Sequence, residues 1–303
     1  MKKSTREFIR EARRSSRSRP YTIKDFIHGY VYMRWPFFYI SLGKGDHPLA
    51  KGWKRAARWF SPLRRKRLTE KTSPGFAEGY HGKALPLDTA RQLVSIKQEI
   101  SLKNLEQVIP FERARDIILR NPDHIVAMDC PCRKGKENPC LPLDVCLIIG
   151  DPFASFVLEH HPKVSRAISP AEARRILEKE ETRGHVHHAF FKDAMLNRFY
   201  AICNCCSCCC GAMLAQRNGT PMIISSGYIA ELDRAVCVQC GMCVEVCQFG
   251  AISENENGMQ IDVSVCMGCG VCVNRCPRGA LALVLDPSKP APLAVEALAE
   301  PQT

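Results

Sequence analysis

Cysteine spacing constrains this chain more than any other feature. The segment CVQCGMCVEVCQFGAI, 237–252, and the segment CMGCGVCVNRCPRGAL, 266–281, share all four cysteines, the glycine after the second and the Gly-Ala after the fourth. They do so at a constant offset of 29 residues. An internal repeat of that fidelity reads as a duplication, so the two halves are expected to fold alike. Short strand-like pieces flank each half, YIAELD and AISE around the first, MQID and ALALVLD around the second, with NENG as the turn between AISE and MQID. The 303 residues hold 18 cysteines, and the opening MKKSTREFIREARRSSRSRP lacks the apolar core of an export signal, although Arg13 and Arg14 form a twin-arginine pair. The reading therefore places the protein in the cytoplasm, where metal ligation outranks disulfides.

Both halves spell C-x2-C-x2-C-x3-C, and Pro277 follows the second. This resembles the bacterial two-cluster ferredoxin domain, over about residues 227–287. In that family three cysteines set three apart wrap a loop around a cubane, and the fourth ligand crosses from the other half. The resemblance implies that Cys237, Cys240, Cys243 and Cys276 hold one [4Fe–4S] cluster, and Cys266, Cys269, Cys272 and Cys247 the other. Gly241 and Gly270 are expected to relieve crowding where each loop bends. Gln248 departs from the pattern, standing where proline would follow Cys247, which bears on loop shape rather than ligation. A pair of four-thiolate zinc sites is the lesser alternative, since zinc ribbons use two separated C-x2-C knuckles.

Ten cysteines lie upstream. Cys130, Cys132, Cys140 and Cys146 fall within seventeen residues and suffice for one further cubane or one zinc. Six more, Cys203, Cys205, Cys206, Cys208, Cys209 and Cys210, crowd into ICNCCSCCC. If this run is extended, Cys203 and Cys205 face one way and Cys206 the other; if its end is helical, Cys206 and Cys210, or Cys205 and Cys209, share a face. They cannot all bind one cubane. The ceiling is two extra clusters with two thiols left over, and the favoured reading is one extra cluster on Cys130, Cys132, Cys140 and Cys146. The six-cysteine run then serves a second metal, a redox-active dithiol, or both; inert buried thiols are the bland alternative. His185, His187 and His188 are further candidates, with simple packing as the more frequent role of such histidines. Together, 130–146, GHVHH and ICNCCSCCC resemble the upstream region of ferredoxin-fused iron–sulfur proteins of unassigned function, a resemblance that carries no activity with it.

The expected fold class is α+β, with a pseudo-twofold ferredoxin domain at 227–287 after a mainly helical, Cys-rich metal domain at 122–226. Before these come a basic, aromatic-rich arm, 1–75, and a helical connecting segment, 76–121, in which TARQLVSIKQEISLKNLEQVI suits one or two amphipathic helices. Ser169-Pro170-Ala171-Glu172 opens a helix with an N-cap, Pro at N1 and Glu at N3. The Pro- and Ala-rich residues 288–303 are expected to be a poorly ordered tail. Residues 1–72 carry 20 lysines and arginines against five acids, interleaved with aromatics in YVYMRWPFFYI and GWKRAARWF. Such an arm suits an anionic membrane surface, though no apolar run in it is long enough to span one; nucleic acid is the less favoured partner. The alternative is an arm whose aromatics cap the neighbouring domain.

The chemistry expected is single-electron transfer at low potential, making the protein an iron–sulfur electron carrier between redox partner proteins. No G-x-G-x-x-G or P-loop occurs, so flavin or nicotinamide would sit on a partner. No catalytic residue is assigned. One alternative is a reductase using the upstream cysteines on a disulfide or small substrate; another is a redox or metal sensor.

Overall fold

The computed structural model describes residues 1–15, 22–50, 80–102, 117–196, 198–256 and 258–295. Helices α1 (Lys3–Ser15), α2 (Ile23–Arg34) and α3 (Pro36–Lys44) lie near the N-terminus. A larger unit follows, built from β1 (Tyr80–Leu85), α4 (Leu87–Leu93), β2 (Ile100–Leu102), β3 (Ile117–Met128), α5 (Pro131–Lys134), β4 (Cys146–Asp151), α6 (Phe153–His160), β5 (Ser165–Ile168) and α7 (Pro170–Thr182). It continues through β6 (Val186–Lys192), β7 (Arg198–Cys205), α8 (Gly211–Arg217) and β8 (Ile223–Ile224). The last unit holds β9 (Tyr228–Leu232), α9 (Met242–Val246), β10 (Ile252–Asn255), β11 (Gly258–Ile261), α10 (Val271–Arg275) and β12 (Leu281–Leu285).

The upstream region is not mainly helical. Its centre is an eight-stranded sheet in the order β2-β3-β4-β7-β6-β1-β8, with β5 sharing the outer edge of β3. Neighbours are antiparallel except β1 and β8. Helices cover both faces. Ala90, Leu93, Ala173 and Leu177 of α4 and α7 pack over one face with Leu119, Phe191 and Ile202; Phe8, Met33, Phe156 and Met213 of α1, α2, α6 and α8 pack over the other with Val126, Ile148 and Phe190. Strands covered on both faces lose the apolar–polar alternation that announces a half-buried strand. In β6, VHHAFFK, all seven residues are buried, and β7, RFYAICNC, is nearly as enclosed, so neither shows the period of two.

The connecting segment is corrected likewise. Among the described residues of 76–121 α4 is helical and β1 and β2 join the sheet; 76–79 and 103–116 lie outside the described residues. The helix at Ser169 forms as read: the Ser169 side chain accepts from the Glu172 N–H at 3.2 Å, and Pro170 takes the first turn, where its missing N–H costs nothing.

The N-terminal helices belong to this unit. Phe8 is completely buried against Phe153 and Phe156, with ring centroids at 6.4 and 6.1 Å, a contact contributing about 1.5–3 kcal/mol by removal of apolar area from water. The segment GWKRAARWF lies outside the described residues. At the other end, residues 288–295 are no loose tail. Leu293 and Val295 are buried in the sheet's core, and the buried Lys83 ammonium donates to the carbonyls of Ser225 and Ala291 at 3.1 and 2.8 Å.

In the C-terminal unit β9 pairs with β12 and β10 with β11, the strand pieces read from sequence. Ser226 fixes its entry, donating through N–H to Met267 O at 3.0 Å and through Oγ to Gly268 O at 2.7 Å. Gly268, at φ +60°, can only be glycine: a Cβ there would stand 2.0 Å from Tyr228 O.

Candidate metal centres

The two cysteine loops of the C-terminal unit are built alike. Gly241 and Gly270 cap α9 and α10 in the left-handed region, at φ +74° and +83°. Gly250 and Gly279 repeat that conformation after the fourth cysteine of each half. Ala251 N–H and Ala280 N–H each donate to sulfur, of Cys247 and Cys276, at 3.2 Å, and Ala230 N–H donates to Cys266 at 3.4 Å. Such donors stabilise thiolate over thiol, the form that binds iron. Cys243, Cys247, Cys266, Cys272 and Cys276 share one small core with Ala230, Ile252 and Leu281. Burial pushes the Cys272 thiol up to about 12, so ligation there must displace a firmly held proton.

The ten upstream cysteines divide four and six. Cys140, Cys206, Cys208 and Cys209 bring their sulfurs within 4.8 Å of one another. Cys208 Sγ lies 3.1 Å from Cys140, 3.3 Å from Cys206 and 3.6 Å from Cys209. Cys140 is therefore not placed with Cys130, Cys132 and Cys146, against the grouping read from sequence. The cause is the loop: Pro131–Lys134 turns as a short helix, and the following residues carry Cys140 across to the turn at 206–209. Burial raises the Cys140 thiol to about 11.

The other six line a cavity of about 70 Å³ between the sheet, α2, α3 and α8, and Cys206 and Cys209 of the first group reach its wall as well. Cys130 hydrogen-bonds Cys132 and Cys146, Cys146 meets Cys203, and Cys210 meets both Cys132 and Cys205. Strand pairing accounts for part of this, because Cys146 on β4 stands opposite Cys203 on β7. The alternation along β7 puts Cys203 and Cys205 on the same side, toward this cavity, while Cys206, just past the strand, joins the Cys140 group and also borders the cavity. The helix begins later than the alternative reading allowed, with Cys210 as N-cap of α8. A hydrogen bond from Cys210 holds the Cys205 thiol down at about 6 against its burial, and His188 adds to the effect.

The three histidines separate. His188 is fully buried beside this centre, where its imidazole interacts with the Cys205 thiol. A buried imidazole set against a cysteine of the centre suits a role there as ligand or as hydrogen-bond partner of a ligand. His185 Nδ1 donates to Glu180 at 2.7 Å, and His187 Nδ1 donates to Asn204 Oδ1 at 2.6 Å. These two orient the site.

Sequence reasoning missed the residues that lock the centre. Arg133, one residue past Cys132, is 1% exposed and donates to Glu180 at 2.6 Å, to Pro142 O at 2.6 Å and to Asn204 O at 3.0 Å. It ties the 130–146 loop to β7 between Cys203 and Cys205. Gln248, the departure from proline, did leave a signal: its Oε1 accepts from Ser207 N–H at 2.8 Å, in the middle of the six-cysteine run. Beside it Phe249 packs in the sheet's core, edge-on to His188. A second contact runs from α10, where Asn274 donates to Glu181 Oε1 at 2.7 Å while Glu181 Oε2 lies 3.0 Å from His187 Nε2.

A chain with this fold and these loops carries a ferredoxin-type iron–sulfur domain joined to a second thiolate-rich unit. Residues 236–281 match the family described as 4Fe-4S dicluster domain. No curated protein matches the chain.

Proposed function

We propose that the protein is an electron-transfer iron–sulfur protein whose C-terminal domain holds two [4Fe–4S] clusters, one on Cys237, Cys240, Cys243 and Cys276, the other on Cys247, Cys266, Cys269 and Cys272. Such clusters supply single-electron transfer at low potential. The cavity ringed by Cys130, Cys132, Cys146, Cys203, Cys205 and Cys210, with His188, offers a third cluster four ligands and a surplus. The group at Cys140, Cys206, Cys208 and Cys209 fits a single ion instead: a zinc–sulfur bond of about 2.3 Å in a tetrahedron puts sulfurs about 3.8 Å apart. The ferredoxin cysteines do not converge so tightly, since each ligand of a cubane holds a different iron.

The observation that carries this reading is the bond from Ser207 to Gln248. It places the residue next to Cys247 against the backbone between Cys206 and Cys208. Phe249, next in the chain, meets His188 beside the six-thiol cavity, so the docked ferredoxin domain is arranged to exchange electrons with a cluster held there. The test is anaerobic stepwise reduction followed by electron paramagnetic resonance: three interacting cluster signals support the reading, and two signals with free upstream thiols contradict it.

The redox partner is a protein carrying any flavin or nicotinamide. No helix among the described residues is long and apolar enough to cross a membrane. Peripheral attachment is supported by Ile23, Ile27, Trp35, Phe38 and Leu42, apolar side chains of α2, α3 and their junction that remain exposed, within residues 1–72, which carry 20 lysines and arginines.

A further inference from the structure

A second cavity, of about 450 Å³, adjoins the six-thiol centre and shares Tyr32, Ile40, Cys132 and Ala212 with its wall. Its size falls in the range of small-molecule sites, and most of its lining is apolar. Both lysines that line it are engaged. Lys44 Nζ lies 2.9 Å from Asp46 and donates to Cys132 O at 2.9 Å, and the Lys192 ammonium sits over the rings of Tyr32 and Tyr39, 3.5 and 4.6 Å from their centroids. Thr220 differs: it is 2% exposed, it lines the cavity, and its hydroxyl has no hydrogen-bond partner among the described residues. Gly43 of α3 lines the cavity too, and a Cβ built there would meet nothing within 4 Å. That wall borders open space.

A buried hydroxyl with nothing to bond is costly unless a ligand completes it. With both cations engaged elsewhere, the ligand that suits this cavity is neutral, an apolar body carrying a hydrogen-bond acceptor. Helix α3 narrows the class. Tyr39, Ile40 and Gly43 line the cavity, while Phe38 and Leu42 of the same helix are 45% and 41% exposed, among the apolar side chains that support attachment to a membrane. A ligand taken up from that side is soluble in lipid. Cys132, on the wall common to both cavities, sets it next to a centre of single-electron chemistry. A neutral, lipid-soluble body that bears carbonyls and takes electrons one at a time is a quinone. We propose that this cavity binds a small neutral quinone, one carbonyl accepting from the Thr220 hydroxyl and the ring body lying against α3 and the wall that contains Cys132. Two electrons from the neighbouring centre and two protons from water convert a quinone to the hydroquinone. Uptake from lipid and that reduction rest on the reading above; the binding does not.

Calorimetric titration of the full-length, metal-replete, oxidised chain under anaerobic conditions tests this. The probe is 2,3-dimethyl-1,4-naphthoquinone, whose blocked ring carbons do not add thiols, and 2-naphthoate serves as an anion of similar body. The quinone is expected to bind saturably and more tightly than naphthoate. Thr220→Val should weaken it by about three- to tenfold, the scale of one neutral hydrogen bond. Gly43→Leu should fill the cavity and abolish saturable binding, and leucine favours a helix over glycine, so the fold is kept. In the reduced protein, quinone reduction should saturate with quinone concentration, and Gly43→Leu should slow it far more than it slows oxidation by hexacyanoferrate(III). No saturable binding of the quinone, tighter binding of naphthoate, or an affinity indifferent to both variants would overturn the proposal, and the first two comparisons use the unaltered protein. Iron counted on the same samples separates the two readings. Saturable quinone binding with only about eight irons would remove the third cluster and leave the pocket, whereas about twelve irons with no saturable binding would do the reverse.

Discussion

Ser207 and Gln248 lie 41 positions apart and are joined by one hydrogen bond, Ser207 N–H to Gln248 Oε1 at 2.8 Å. The serine stands between two of the converging upstream cysteines, and the glutamine follows Cys247 directly. Proline at 248 would have kept the ferredoxin loop and removed this contact. Gln248→Pro or Gln248→Ala should therefore leave metal content unchanged and slow electron exchange between the two units severalfold, measured by rapid-mixing reduction. An unchanged rate would deny the contact any part in coupling.

The four-and-six division makes cysteine substitutions unequal. Cys140→Ser should release the single ion held with Cys206, Cys208 and Cys209 and leave iron untouched. Cys132→Ser or Cys146→Ser should lower iron by about four atoms, one cubane's worth. Loss of iron from Cys140→Ser would return Cys140 to the grouping read from sequence. Elemental analysis of the purified variants decides it.

Arg133 and Glu180 are each 1% exposed and lie 2.6 Å apart. Arg133→Met leaves Glu180 buried with its main counter-charge gone, which should cost about 3–5 kcal/mol. Because the guanidinium also holds Asn204 O and Pro142 O, the loss should appear as upstream iron released at temperatures where the C-terminal clusters persist. Thermal unfolding followed at the cluster absorbance checks both effects.

The arm gives a surface prediction. Trp35→Ala with Phe38→Ala should reduce binding to anionic vesicles, and salt should weaken whatever binding remains. Neutral vesicles should bind weakly throughout. Equal partitioning of the altered and unaltered chains would leave the exposed apolar residues without a membrane role.

The C-terminal half was legible because its information is local. Spacing within each repeat puts Gly241, Gly270, Gly250 and Gly279 where the loops turn, and short strands bracket them. The upstream half was less so, because its information is not local. Cys140 meets Cys208 across 68 residues, and Cys146 meets Cys203 only through the pairing of β4 with β7. Nothing within the 130–146 segment specifies that pairing. The same holds for His187 and His188. Adjacent in sequence, they point to opposite faces of β6, one hydrogen-bonded to Asn204 and the other left beside Cys205.

On the proposed reading the upstream cysteines form two separate centres, one cluster and one single ion, beside a two-cluster ferredoxin domain. Iron, acid-labile sulfide and zinc counted per chain on protein reconstituted without oxygen test it most directly. About twelve irons, about twelve sulfides and about one zinc are expected. An iron count fixed at about eight, with all ten upstream thiols titratable in the native protein, would contradict it.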